Sequence, residues 1–129
     1  MKSEIEKLKK KLDIIFSRYI RQRDKGQCYT CPKKDDPKYM QCGHFNPRQY
    51  FSTRWDERNN HCQCYACNIL YNGQPSRYAQ HLMQDYGKNI INELEKDRLK
   101  SIKLDIIWYL EKIQYYEKLL PLKNGLPKK

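Results

Sequence analysis

Asn59-Asn60-His61-Cys62-Gln63-Cys64-Tyr65-Ala66-Cys67-Asn68 is the stretch on which the reading of the fold turns. A short run of strand character, His61–Cys64, enters a Cys-x-x-Cys turn at Cys64 and Cys67. Such a turn lets two thiolates reach one ion, and zinc favours a tetrahedron of four ligands. The other half of that shell stands upstream, in Cys28-Tyr29-Thr30-Cys31. Cys28, Cys31, Cys64 and Cys67 are therefore the expected Zn²⁺ ligands. A closed four-thiolate shell leaves no position for water, so this zinc is expected to be structural. Cys42 and Cys62 are left over and read as small buried strand residues. Neither Cys pair sits in the βαβ pattern of a redox motif.

Composition agrees with a metal-stapled core. The 129 residues suffice for one small domain with helical extensions, and only 39% of them are hydrophobic. So thin an apolar supply needs a staple. The N-terminus, Met1-Lys2-Ser3-Glu4, is charged and carries no apolar signal segment. No run approaches the roughly 18 apolar residues of a membrane span. A cytoplasmic location is expected, where the six cysteines stay reduced and favour metal over disulfides. The net charge of +11 points to a polyanionic partner, most simply nucleic acid. Lys33, Lys34, Lys38, Arg48, Arg54 and Arg58 crowd the motif region.

Ser3 and Glu6 form a capping-box pattern. Ile5, Leu8, Leu12, Ile15 and Tyr19 then place an apolar stripe on a helix running to about Asp24, stopped by Gly26. Between residues 27 and 73 helical periodicity gives way to Cys, Pro, Gly and Asn. Short strands are expected near Tyr39–His44 and His61–Cys64. A short helix is expected from the second Cys pair to near Gly73. Pro75 and Ser76 open a helix that Gly87 closes. A longer one follows from about Lys88 to just before Pro121. In it Ile102, Ile106, Tyr109, Ile113, Tyr116 and Leu120 form a seam. That seam could pack on the N-terminal helix or form a homodimer; intramolecular packing is the favoured reading. The expected class is α+β: a small zinc-stabilised ββα-metal core flanked by an N-terminal helix and long C-terminal helices. The boundaries are 1–25 for the first helix, 26–74 for the core, 75–122 for the helical extension and 123–129 for a basic tail.

His44 lies between the knuckles, directly after Gly43, which lets backbone and substrate approach closely. Asn59 and Asn68 follow, the latter immediately after the last Cys, whereas Asn60 and Asn72 read as ordinary turn residues. Cys-x2-Cys … Gly-His … Asn-x4-Cys-x2-Cys-Asn resembles the HNH (ββα-metal, His-metal finger) nucleases. Tyr19-Ile20-Arg21-Gln22-Arg23-Asp24, Cys28–Cys31, Gly43-His44-Phe45 and Asn59 to Asn68 resemble, more closely, the NinG/Rap family of phage recombination endonucleases. The similarity covers roughly residues 12–120.

The resemblance implies roles. His44 would be the general base. Asn59 would hold the imidazole or the loop that carries it. Asn68 would ligate a catalytic Mg²⁺ or Mn²⁺. A neutral imidazole suits a base near working pH, and a hard cation wants oxygen ligands. Many HNH enzymes carry Asp before the catalytic His; here Gly43 stands there, so a second metal ligand would come from water, DNA phosphate, or a carboxylate such as Asp56 or Glu57. Arg48 and Arg54 are candidates for clamping phosphate, with a solvated surface role as the alternative. Tyr29, Tyr50 and Trp55 are candidates for stacking on unpaired bases, whereas Tyr109, Tyr115 and Tyr116 read as core. Holliday junctions and D-loops as substrates, and a bacterial host cytoplasm, are implied by the resemblance alone. The rival functions are a non-catalytic zinc-finger DNA binder, and an interaction protein built on the helical pair.

Overall fold

The computed structural model describes residues 2–121; the basic tail at Lys123–Lys129 lies outside the described residues. Helix α1 (Lys2–Arg23) turns Leu12, Ile15, Phe16, Tyr19 and Ile20 inward at steps of three and four. Ser3 stands inside its first turn rather than ahead of it, so the capping-box reading does not hold. Glu4, also in that turn, complements the positive helix end instead. At the other end Lys25 (φ 56°) and Gly26 (φ 73°) are left-handed. Gly26 N–H donates to Arg21 O at 3.1 Å and Lys25 N–H to Gln22 O at 3.0 Å, a Schellman closure. A Cβ on Gly26 would lie 1.8 Å from the Asp35 carbonyl oxygen, so the first knuckle folds directly over this turn.

A two-stranded antiparallel sheet follows, β1 (Gln41–His44) and β2 (Asn60–Gln63). Its register sets Gln41 opposite Gln63, Cys42 opposite Cys62, Gly43 opposite His61 and His44 opposite Asn60. Helix α2 (Phe51–Arg54) lies in the connection. After β2 the chain makes one π-helical turn, Ala66–Leu70, then α3 (Pro75–Tyr86), α4 (Ile90–Arg98) and α5 (Ile106–Leu119). The result is a mixed fold of helices around a small two-stranded sheet.

The single long C-terminal helix expected from Lys88 is two helices. The reason is that its apolar residues serve two different cores. Ile90 and Leu94 of α4 pack with Tyr78 and Leu82 of α3. Tyr109, Ile113 and Tyr116 of α5 pack with Leu12, Phe16 and Ile20 of α1 and with Trp55. One straight rod cannot face both. Asp105 restarts the helix by accepting a hydrogen bond from Trp108 N–H at 2.8 Å. Ile102 falls in the break and is exposed. The seam at Tyr109, Ile113 and Tyr116 is thus occupied by α1 within the same chain. A third cluster gathers Met40 and Cys62 around the cysteines of the two knuckles. No helix among the described residues is long and apolar enough to cross a membrane.

Because Ile113 joins α5 to α1 at the centre of the main core, Ile113→Ala should lower unfolding stability by about 2–5 kcal/mol. Urea titration measures this, and metal content should be unchanged.

Candidate functional site

The thiols of Cys28, Cys31, Cys64 and Cys67 all lie within 4.8 Å of one another. Sγ of Cys31 and Cys64 are 3.6 Å apart. Four thiolates at about 2.3 Å around one zinc place sulfurs about 3.8 Å apart, so the cluster fits a tetrahedral zinc site. Backbone amides point at the sulfurs: Lys33 to Cys31 (3.5 Å), Cys64 to Cys28 (3.3 Å) and Cys67 to Cys64 (3.4 Å). Burial pushes the Cys28 thiol up, but amides of Cys64 and Thr30 outweigh it and bring the group to about 7. Burial pushes Cys31 up to about 12; the Lys33 amide opposes this, and the three neighbouring thiols add to it. Cys42 and Cys62 stand opposite each other in the sheet, and burial pushes each up to about 12.

The knuckles are tied to the sheet by Tyr29 N–H donating to Cys62 O at 2.8 Å. Asn68 rides on the second knuckle, its backbone N–H donating to Cys64 O at 2.9 Å. His44 closes β1. These two side chains line one cleft of about 600 Å³, together with Asp13, Ser17, Arg21, Gln41 and Arg48. Asn68 Nδ2 donates to Gln41 Oε1 at 2.7 Å, which fixes the carboxamide. The imidazole of His44 is partly buried, and its Nδ1 is shut off from solvent with no hydrogen-bond partner among the described residues. Burial lowers its pKa to about 4; a hydrogen bond donated by the ring to the Asn60 side chain and the charge of Asp13 oppose this, while Arg48 and Arg54 reinforce it. The ring is therefore neutral at pH 7.

Asn59 is fully buried and holds the loop rather than the ring. Its Oδ1 accepts from Asn46 N–H (2.8 Å), and its Nδ2 donates to Asn46 O and Thr53 O (3.1 Å each). That clamp fixes the chain leaving His44. Asn60 is no turn residue: it is wholly buried in β2, opposite His44, and its Nδ2 donates to Arg54 O and Asp56 O. Gly43 has a different reason from the one expected. It is buried, and a Cβ there would meet Gln63 Oε1 at 1.8 Å. The missing side chain makes room for Gln63, not for substrate.

Neither carboxylate proposed as a second ligand reaches the cleft lining. Asp56 pairs with Arg58 at 2.9 Å, and Glu57 accepts from Tyr19 and Tyr116 hydroxyls. Asp13, on α1, is the acid that does line it. Its oxygens accept from Arg54 (3.2 and 2.5 Å), Arg48 (3.0 Å) and Trp55 Nε1 (3.0 Å). Arg54 is buried in this pair, so of the two arginines only Arg48 exposes its guanidinium. Trp55 is buried between Trp108 and Tyr109, which removes it as a stacking surface. Tyr29 stacks on His61 at 3.9 Å and donates to Asp85. Tyr115, expected in the core, is exposed.

Comparison with known proteins adds the family. A family model described as Bacteriophage Lambda NinG protein matches residues 2–124. The chain belongs to the NinG family. Protein ninG of Escherichia phage 933W is 28% identical over 114 residues, covering 83% of this chain and 54% of that protein. Protein ninG of Escherichia phage lambda is 27% identical over the same length, with 53% of it covered. The chain thus spans about half the length of the curated NinG relatives it matches. No solved structure matches.

If the cysteine cluster holds zinc, elemental analysis should find about one zinc per chain, because one tetrahedral shell takes one ion. Cys64→Ser should remove it and abolish cooperative unfolding of the region that carries Asn68, read by hydrogen exchange.

Proposed function

We propose that this NinG-family chain is a divalent-metal-dependent DNA endonuclease whose core is of the ββα-metal (HNH) kind. The observation that carries the reading is that a neutral imidazole and an anchored carboxamide, from separate elements, line one cleft beside a four-cysteine cluster. A zinc-finger binder would need the cluster but not that pairing.

In this reading His44 is the general base that takes the proton of the attacking water on its neutral imidazole. A base needs an unprotonated nitrogen, and burial keeps the ring unprotonated. A phosphodiester entering the cleft stabilises the imidazolium and moves its pKa back toward working pH. Asn68 would hold Mg²⁺ or Mn²⁺ through its amide oxygen, with Gln41 fixing the carboxamide. Such an ion supplies charge neutralisation at the phosphate and at the leaving 3′ oxygen. Asp13 lies in the cleft but already accepts from three residues, so its part is to hold Arg48 in place for the phosphate. Asn59 keeps the loop after His44 from shifting.

Branched recombination intermediates, Holliday junctions and D-loops, are the proposed substrates, on the strength of the family resemblance and of the excess positive charge, which favours backbone contacts over base reading. Action in the cytoplasm of a phage-infected bacterium goes with that proposal.

A nicking assay on a four-way junction with Mg²⁺ tests the reading. His44→Ala should lower the cleavage rate by about 10²–10⁴ while junction binding persists. Binding without metal-dependent cleavage by the wild type would instead favour the non-catalytic binder. The pH profile gives a second check. Because the folded pKa of His44 lies below 6.5, base function is gained as pH rises through a value nearer 4. At subsaturating DNA, where kcat/KM reports the free protein, the rate should therefore not fall sharply between pH 7 and 6.

A further inference from the structure

The face of α1 opposite its buried stripe carries charge of one sign. At 3.6 residues per turn, Lys7, Lys10, Lys11, Ile14, Arg18 and Arg21 fall within an arc of about 100°. Glu4, Glu6 and Asp13, the acids of this helix, project outside that arc. Lys7, Lys10, Lys11 and Arg18 are exposed and make no ion pair among the described residues. Their neighbours differ: Lys9 is paired with Glu6 at 3.0 Å, and Arg21 donates to Pro37 O at 2.9 Å.

The ridge also has a fixed relation to the cleft. Ile14 and Arg21 belong to the ridge and line the His44 cleft. Lys7 and Lys10 line an adjoining hollow of about 330 Å³, and Asp13 and Arg48 border both depressions. The basic surface therefore runs along the lip of the cleft, and the two acids that border it are both paired, Asp13 with Arg48 and Arg54 and Glu6 with Lys9.

We propose that this ridge binds the phosphate backbone of a duplex DNA arm flanking the phosphodiester that enters the cleft. The inference rests on the reading that the cleft takes DNA, and adds the surface that holds the arm. From Lys7 to Arg18 the helix rises about 16 Å, a length of duplex presenting on the order of five phosphates of one strand. Lys and Arg on a rigid helix meet such a row without reading bases, which suits a cut placed by DNA shape. An anionic membrane is the poorer fit. An interfacial helix needs its apolar face free for lipid, whereas the apolar face of α1 is buried against α5 and Trp55.

The test compares the zinc-loaded wild-type chain with two quadruple variants in EDTA-free buffer lacking Mg²⁺. One is Lys7→Gln/Lys10→Gln/Lys11→Gln/Arg18→Gln. The other is Lys88→Gln/Lys96→Gln/Lys103→Gln/Lys118→Gln, which removes the same charge from exposed positions outside the ridge. Fluorescence anisotropy follows binding to a labelled duplex and a four-way junction across a salt series. Circular dichroism checks that all three are folded. The ridge variant should lose more than tenfold in affinity, and its log K against log salt slope should flatten by up to about 3.6, at about 0.9 per phosphate contact. The control variant should stay closer to wild type on both measures. Equal loss in both variants, or none in the ridge variant, overturns the proposal while leaving the endonuclease reading intact. Wild type that binds anionic vesicles but neither DNA overturns both.

Discussion

The convergence of Cys28, Cys31, Cys64 and Cys67 is the constraint on which the central region depends. It closes a chain segment of nearly forty residues that has little else to bury: the cluster around it is mostly cysteine, with Met40 as its one large aliphatic side chain. The two strands are four residues each, too short to stand alone. With the sulfurs brought together, β1 and β2 pair in one register, and that register puts His44 at one end and the second knuckle at the other. Asn68 is delivered to the cleft by the turn that the last cysteine begins.

The rest of the architecture supports that small unit from outside. α1 and α5 make the main apolar core, and Trp55 reaches into it from the loop between the strands. Through Asp13, the same helix holds Trp55, Arg54 and Arg48, so the loop after His44 is tied at one end to Asn59 and at the other to α1. This partly buried carboxylate is gripped by two guanidiniums and an indole and is paired on both oxygens. The cleft is thus a seam between the four-cysteine unit and the N-terminal helix, not a feature of either alone.

Much of this was legible from residue order. The Cys pairs announced their meeting by spacing. α1 was legible from its apolar period, and the turn at Gly26 from the end of that period. α3 was legible between Pro75 and Gly87. Other features depend on contacts that no local pattern encodes. Asp13 sits inside a helix with no sign that two arginines from residues 48 and 54 close on it. Asn60 resembled a turn residue because it follows Asn59, yet the register buries it opposite His44. Gly43 looked like an opening for substrate, but the space belongs to Gln63 on the paired strand. The break between α4 and α5 was hidden because an apolar period continues across it; only the existence of two separate cores explains it. The basic ridge of α1 could have been found by plotting charge at the helical period as well as hydrophobicity.

Metal binding at Asn68 tests the central claim most directly. Zinc-loaded protein would be titrated with Mn²⁺ in the presence of an uncleavable phosphorothioate junction, with bound Mn²⁺ read by electron paramagnetic resonance. The account predicts one bound Mn²⁺ per chain, weakened by at least about tenfold in Asn68→Ala, while zinc content stays the same. Equal Mn²⁺ affinity in the two proteins, or no bound Mn²⁺ in either, would contradict it.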